Sequence, residues 1–142
     1  MASAGLVWDW TRCWTLASGE ISGDRDAPVS RWSYTSPDGR QAVWLAQMAA
    51  TPVLRWRASA GASPWFAESG FGATFTTNLY QTNRKRFSTS FNFGDHLAIG
   101  RNFGAQREHE LALRIKHLST AGIKQTNPGE NFVQLRYVRK FH

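Results

Sequence analysis

The sequence lacks the usual covalent supports of a small domain. Its 142 residues include one cysteine, Cys13, so no disulfide can form within the chain and a metal cluster built on cysteine is excluded. Charged residues make up only 19%, whereas there are seven tryptophans and nine phenylalanines. Disordered chains show the opposite balance. We therefore expect a single ordered domain over residues 1–142.

Long apolar segments are missing as well. A transmembrane helix needs about 20 consecutive apolar residues, and the longest candidate, near 42–50, contains Gln47 and is followed by Pro52. No secretory signal is visible, since Met1 is followed by strand-like sequence rather than by a basic start and an apolar core. For an exported barrel, this absence indicates either a processed protein or a chain trimmed at its start.

The charge balance is basic, with a net charge of +7. It suggests an anionic partner, such as nucleic acid, a phosphate-bearing lipid or an acidic surface. A basic surface that meets only water explains the same number equally well, so charge alone leaves the partner open.

What the sequence has instead is a period of two, which predicts β-strands. In 87–99 the apolar side chains fall on one face, which only Asp95 interrupts, and small or polar side chains fall on the other. Turn sequences at 36–39, 60–64 and 127–129 separate such runs. The predicted strands cover 4–10, 14–23, 27–36, 41–57, 64–76, 87–101, 108–118 and 131–141.

Two architectures accommodate these strands. A soluble sandwich would bury the apolar face, whereas a membrane barrel would turn it to lipid and fill a narrow lumen with small or polar groups. The barrel fits better, because the second face carries Ser88, Ser90, Asn92 and Gly100. Tryptophans toward strand ends match an aromatic girdle: Trp8, Trp10, Trp14, Trp32, Trp44, Trp56 and Trp65. We therefore predict an all-β fold, a small antiparallel up-and-down membrane β-barrel.

The candidate chemistry lies in His117 and Ser119, two residues apart near the end of the seventh predicted strand. Residues i and i+2 of a strand share a face, so the imidazole can take the hydroxyl proton as the serine oxygen attacks an acyl group. Glu130 starts the next strand, and an antiparallel hairpin would bring its carboxylate beside the histidine. Taken alone, a His-X-Ser pair is usually two surface side chains.

Both residues continue the apolar face of Leu111, Leu113 and Ile115. If that face meets lipid, the pair lies near the membrane boundary, where polar groups are costly and therefore suspect as functional. This placement suggests that the substrate is itself a lipid.

The same segment resembles the PagL family of outer-membrane lipid A 3-O-deacylases. The family signature is His-X-Ser-Asn-Ala, then a short loop with Asn-Pro-Gly or similar, an acidic residue and a last strand. The matching residues are His117-Leu118-Ser119-Thr120-Ala121 and Asn127-Pro128-Gly129-Glu130. The similarity continues more loosely through 66–72 and 91–95 back to 5–10, and so covers nearly the whole chain.

The resemblance implies an eight-stranded barrel in the outer membrane of a Gram-negative bacterium, with a serine–histidine–acid site on its outer wall. The implied activity is hydrolysis of the ester-linked acyl chain at the 3-position of lipid A. Ser119 would be the nucleophile, His117 the general base and Glu130 the orienting acid. Asn127, with backbone amides near Gly122, would hold the oxyanion.

The chain departs from the family pattern within this site. Thr120 stands where the family usually has asparagine. The spacing from His117 to the acid differs by one residue among members, so Asn131 competes with Glu130 for the acid position. We expect Glu130, because only a carboxylate stabilises an imidazolium by charge.

Basic residues at 84–86 (Arg84, Lys85 and Arg86) fall in the loop after the fifth predicted strand. Strand counting places this loop on the outer side with Ser119, where these side chains would suit lipid A phosphates; a hydrophilic loop tip has the same composition. The expected partners are lipid A or lipopolysaccharide and outer-membrane lipid, without nucleic acid, and a homodimer is allowed. We expect no cofactor and no metal, since the other histidines lack ligand partners at a useful spacing.

Two other functions compete with ester hydrolysis. One is a non-catalytic small outer-membrane barrel that acts as an adhesin or scaffold, and the set of His117, Ser119 and Glu130 argues against it. The other is a soluble basic β-domain that binds nucleic acid, which should interleave aromatics with base-reading polar groups on an exposed face. Here the aromatics share a face with the aliphatics, which favours lipid.

The start of the chain yields a prediction. The family pattern has a signal peptide and most of a first strand where this chain has residues 1–4. We predict that the chain as it stands is not exported and refolds less stably than one with a longer first strand, because unpaired backbone groups at a seam are costly in lipid. Heat-modifiable gel mobility, the sign of a closed barrel, should be weak and should return when about a dozen alternating residues precede Gly5. Full heat-modifiability of the short chain would contradict this.

Overall fold

The computed structural model describes residues 2–122 and 129–140. They form one antiparallel sheet, which confirms the predicted all-β, up-and-down organisation. Among these residues, no helix is long and apolar enough to cross a membrane. The strands are β1 (Ala2–Asp9), β2 (Trp14–Leu16), β3 (Gly19–Thr35), β4 (Ala42–Arg57), β5 (Trp65–Thr76), β6 (Phe91–Phe103), β7 (His109–Ser119) and β8 (Glu130–Arg139).

Neighbouring strands follow the chain order. The hydrogen-bonded path is β1-β3-β4-β5-β6-β7-β8, and the short β2 pairs with β3. Six antiparallel pairings separate β1 from β8, so these end strands run in the same direction. Their side chains meet, since Gln134 Nε2 donates to Ser3 Oγ over 2.9 Å and Lys140 Nζ donates to Asp9 Oδ1 over 3.1 Å. The sheet therefore curls until its two end strands face each other.

The predicted break at 24–26 between the second and third strands is wrong. The chain turns earlier, at Ala17 and Ser18, whose φ angles are 49° and 58°. Two successive residues in the left-handed region make the two-residue turn that suits the twist of a hairpin, and β3 then runs on unbroken. The acidic residues in the expected gap belong to the strand because Asp24 and Asp26 face the interior and pair with arginines.

The start of β6 also differs from the prediction. The strand begins at Phe91 rather than at Phe87, and Phe87 is only 3% exposed. Its ring packs on Tyr80 inside the end of the sheet instead of facing lipid. From Phe91 onward the predicted faces are confirmed, with Asn92 and Gly100 buried on the inner side.

The outer surface of the sheet is apolar. Outward residues of the last three strands are more than half exposed: Leu97, Ile99, Leu113, Ile115, Val133 and Leu135. Exposed aromatic side chains lie toward both ends of the sheet: Trp8, Trp14, Trp56 and Trp65 at one end, and Trp44, Phe75 and Phe91 at the other. A soluble sandwich buries its apolar face, so this inverted pattern is that of a membrane barrel.

The interior holds a network of ion pairs beside a small number of buried apolar side chains, such as Leu45, Val53 and Phe66. Arg55 is 3% exposed and lies 2.7 Å from Glu110 and 2.8 Å from Glu68. Glu68 also contacts Arg114 at 2.7 Å, and Glu110 contacts Arg136 at 2.7 Å. The sequence predicted a small and polar lumen but not these paired charges. Because each buried charge needs an opposite partner, the network ties β4, β5, β7 and β8 together.

Removing one carboxylate from this network should destabilise the fold. We expect Glu110→Leu to lower the free energy of unfolding by about 3–5 kcal/mol, because Arg55 and Arg136 would each lose a buried partner. Urea unfolding in detergent, followed by tryptophan fluorescence, measures the loss. The control is Glu20→Leu, because Glu20 is only half-buried and lies at the end of the sheet. This variant should change the free energy of unfolding by less than about 1 kcal/mol. A similarly small effect of Glu110→Leu would show that the network does not support the fold.

Candidate active site

The end of β7 carries the polar pair on the outer surface. His117 and Ser119 are half-buried and share the outward face with Ile115, as the alternation predicted. On the neighbouring strand β6, Asp95 lies opposite His117 and Phe93 lies opposite Ser119. The pair therefore stands where the apolar wall ends, within reach of a molecule that lies along that wall.

Asn131 of β8 fixes the His117 imidazole from the other side. The register pairs these two residues directly, and Asn131 Oδ1 lies 2.6 Å from His117 Nδ1. An amide oxygen can only accept a hydrogen bond, so Nδ1 carries the hydrogen and donates it. In the neutral ring, the lone pair then lies on Nε2, which is the nitrogen that can act as a base.

The expectation that the hairpin brings Glu130 beside His117 is wrong. Glu130 lies opposite Leu118, and strand alternation turns its side chain away from the histidine face. Its carboxylate accepts a hydrogen bond from Tyr80 Oη at 3.0 Å and lies 3.2 Å from Lys85 Nζ. The spacing from His117 to the acid position is ambiguous by one residue, so the sequence does not decide whether Glu130 or Asn131 lies opposite the histidine.

Gly129 packs against the open edge of the imidazole. Its φ is +58°, and a Cβ at this position would lie 2.8 Å from His117 Cε1 and 3.3 Å from His117 Nε2. A side chain here would therefore have to displace the ring or cover its basic nitrogen. The left-handed backbone also favours glycine over any larger residue, so both sterics and conformation require glycine at this point.

The turn after β7 brings backbone N–H groups to the serine. The Ala121 N–H donates to Ser119 Oγ over 3.3 Å, and Ala121 and Gly122 both have left-handed φ angles, of 49° and 77°. Gly122 is exposed. Thr120 is 2% exposed and faces inward, away from the serine. Asn127, the other expected oxyanion ligand, lies outside the described residues.

The basic loop between β5 and β6 lies on the same side as the serine, as strand counting predicted. Residues 80–87 form a small hairpin closed by backbone hydrogen bonds. Lys85 is engaged within the chain, since its Nζ donates to the Gly129 carbonyl at 3.1 Å. Arg84 and Arg86 are exposed. Of the three basic side chains expected to meet a phosphate, Lys85 therefore has contacts within the chain that hold it in place.

Asp95 is a member of this site that the sequence reasoning left without a role. It is exposed on the outer face of β6 and lies directly opposite His117. Opposite residues of an antiparallel pair have Cβ atoms about 4.5–5.5 Å apart. The register therefore places an acidic residue opposite His117 on β6 and an amide residue opposite it on β8. The signal in the sequence was the break that Asp95 makes in an otherwise apolar face.

Comparison with known proteins identifies the family of the chain. The family model described as lipid A 3-O-deacylase (PagL) matches residues 2–140. The chain belongs to the PagL family. It is 37% identical over 112 residues to the lipid A deacylase PagL of Bordetella bronchiseptica, and this match covers 77% of the chain. The matched part is 58% of the Bordetella protein, so the chain spans less than two thirds of that relative's length.

Two further comparisons, one of sequence and one of structure, match the chain over most of its length. The lipid A deacylase PagL of Pseudomonas aeruginosa is 27% identical over 134 residues, which is 94% of the chain and 73% of that protein. The crystal structure of the outer membrane enzyme PagL superimposes with a TM-score of 0.80 at 26% identity, covering 98% of this chain and 88% of that one. The likeness in structure supports the barrel.

The site geometry predicts which residue fixes the histidine tautomer. In protein with ¹⁵N-labelled histidine, His117 should be in the Nδ1–H form, and Asn131→Leu should shift it toward a tautomer mixture because Nδ1 loses its acceptor. Glu130→Gln should leave the Nδ1–H form in place. The His117→Gln spectrum assigns the resonances. A tautomer change in Glu130→Gln but not in Asn131→Leu would mean that the register between β7 and β8 is different.

Proposed function

We propose that the chain is a carboxylic ester hydrolase that removes the ester-linked acyl chain at the 3-position of lipid A in the outer leaflet of the outer membrane. The observation that carries the proposal is an outward His117 and Ser119 at the end of an apolar wall, with His117 Nδ1 held by Asn131 at 2.6 Å. Membership of the PagL family supplies the reaction, and the relatives are named for it. Lipid A acyl chains would lie along the wall in place of membrane lipid.

The first half of the reaction transfers the acyl group to the enzyme. Ser119 Oγ attacks the ester carbonyl carbon while His117 Nε2 takes the hydroxyl proton. The carbonyl oxygen becomes negative, and the Gly122 N–H and the Asn127 side chain are the groups proposed to stabilise it. When the tetrahedral intermediate collapses, the sugar oxygen leaves with the proton from His117, and the acyl chain remains on Ser119.

The second half returns the enzyme to its starting state. His117 takes a proton from water, and the resulting hydroxide attacks the acyl carbon. The Ser119 oxygen then leaves and recovers the proton from His117, which releases the fatty acid. The ester, the two side chains and water together account for every bond and proton in both halves of the reaction.

Two side chains divide the role that one carboxylate has in a serine–histidine–acid site. Asn131 orients the ring and fixes the proton on Nδ1, but it is neutral. Asp95 lies opposite His117 on β6, where a negative charge is placed to stabilise the positive charge that develops on the ring in the transition state. This division replaces the assignment of Glu130 as the acid.

The exposed arginines of the loop between β5 and β6 are placed to bind the lipid A headgroup. Arg84 and Arg86 lie on the same side as the nucleophile, and guanidinium groups bind phosphate in a bidentate manner. A homodimer remains a prediction, and chemical crosslinking in native membranes is its test.

Loss of either member of the pair should abolish the activity. We expect Ser119→Ala and His117→Ala each to lower deacylation by at least about a thousandfold, and the double variant to lose little more, because the two residues act as a unit. Mass spectrometry of lipid A, before and after exposure to the detergent-solubilised protein, measures the released acyl chain.

The matched control is Ser33→Ala, which removes an exposed serine on the outer face at the same end of the sheet. It should retain normal turnover. Near-normal activity of Ser119→Ala would overturn the assignment of the nucleophile, and an inactive wild-type protein of native gel mobility would overturn the proposed function.

A further inference from the structure

The 80–87 hairpin is anchored inside the end of the sheet by aromatic packing. The Tyr80 ring centroid lies 5.2 Å from that of Trp32, 4.9 Å from Tyr34 and 5.4 Å from Phe87. Trp32 and Phe87 are 5% and 3% exposed, and Trp32 packs against Phe132 of β8 at 5.1 Å. The hairpin is therefore held to the start of β8 by its base.

Its tip is held to β8 by Lys85. The Lys85 Nζ donates to the Gly129 carbonyl at 3.1 Å and lies 3.2 Å from Glu130 Oε2. The same carboxylate oxygen accepts the Tyr80 hydroxyl at 3.0 Å. Burial and the nearby Glu130 carboxylate raise the pKa of Tyr80 to about 12, and the Tyr80 hydroxyl is the donor in this hydrogen bond. Lys85 and Tyr80 thus bind Gly129 and Glu130, the two residues that lead into β8.

The backbone at Gly129 also packs against His117, the proposed general base. Gly129 lies so close to His117 that a Cβ there would come within 3.3 Å of Nε2. The ring is then fixed on two sides, by Asn131 at Nδ1 and by Gly129 along the Cε1–Nε2 edge. Displacement of Gly129 would give the ring room to rotate away from Ser119.

We propose that Lys85 and Glu130 are positioning residues, which hold Gly129 against the His117 imidazole and so keep Nε2 aimed at Ser119. The inference rests on the proposed function, since it assigns an indirect role in the same reaction. It also gives Glu130 a purpose that its position permits: the carboxylate is an anchor for Lys85 and not a partner of the histidine.

The kinetic test compares variants that break or keep the ion pair. Lys85→Met and Glu130→Gln should each lower kcat by about tenfold with little change in KM, because a misplaced base slows the chemical step rather than substrate binding. The double variant should lose little more than the worse single variant. Lys85→Arg, which can still pair with Glu130, should restore most of kcat. Arg40→Met, an exposed arginine in another turn at the same end, is the control and should leave both constants unchanged.

A second readout does not depend on turnover. In ¹³C-labelled protein, Lys85→Met should shift the His117 Cε1–H resonance, because Gly129 packs on that atom, while the Nδ1–H tautomer persists. Arg40→Met should not move the resonance. This measurement can be made in the Ser119→Ala background, so it tests the contact even if the wild-type protein fails to hydrolyse lipid A.

The outcomes separate the two proposals. A wild-type protein without deacylase activity, in which Lys85→Met still shifts the His117 resonance, would remove the proposed function but keep the contact. An active protein in which Lys85→Met has normal kcat and an unmoved resonance would overturn the positioning role. A raised KM with normal kcat would overturn it too, and would make Lys85 a substrate contact instead.

Discussion

The buried ion pairs inside the sheet are the constraint on which the rest of the structure depends. Arg55 has carboxylates on both sides, Glu68 and Glu110, and it is almost completely shielded from water. A slip of one residue in any of these strands would turn the charges outward and the aliphatic residues inward. In a sheet whose outer surface is apolar, such a slip exposes charge to lipid and leaves the opposite charge unpaired, and both are costly. The network therefore fixes the register of each strand that it joins.

That register decides what the active site contains. Arg114 and Lys116 face inward on β7, so His117 and Ser119 must face outward. On β8, Arg136 faces inward to reach Glu110, so every odd-numbered neighbour faces outward, and Asn131 meets His117. Glu130 is an even number of residues from Arg136 along β8, so its side chain also faces the inside of the barrel. Charge pairing inside the lumen thus sets the register that places Asn131, and not Glu130, beside the His117 imidazole.

Much of the fold and of the candidate site could be predicted from the sequence, because the alternation of apolar and polar residues shows directly which side chains share a face of a strand. The strand content follows from alternation, and the apolar outer wall with its outward His117 and Ser119 follows once the small, polar second face is assigned to a narrow lumen. The pairing between strands does not, since it depends on loop lengths and on contacts far apart in the chain. For that reason Glu130 was placed one residue out of register. The sequence does not predict the hairpin at Ala17 and Ser18 for a related reason: neither residue is among those that favour a left-handed backbone, chiefly Gly, Asn and Asp, and the pairing around the turn imposes that backbone.

The position of the site also explains how an amide can serve where a carboxylate is expected. An orienting group must fix the tautomer and must also favour the positive charge that the ring gains during attack. Asn131 meets the first need through a short hydrogen bond, and the second need has no distance limit as strict as that of a hydrogen bond. Charges interact more strongly where water is excluded, and an acyl chain lying along the outer wall would exclude it. Asp95 is the acidic residue that the register places opposite His117, and the proposed function assigns it this second role. An exposed acid on a surface that meets lipid is costly to keep, so that role would give a physical reason for its presence.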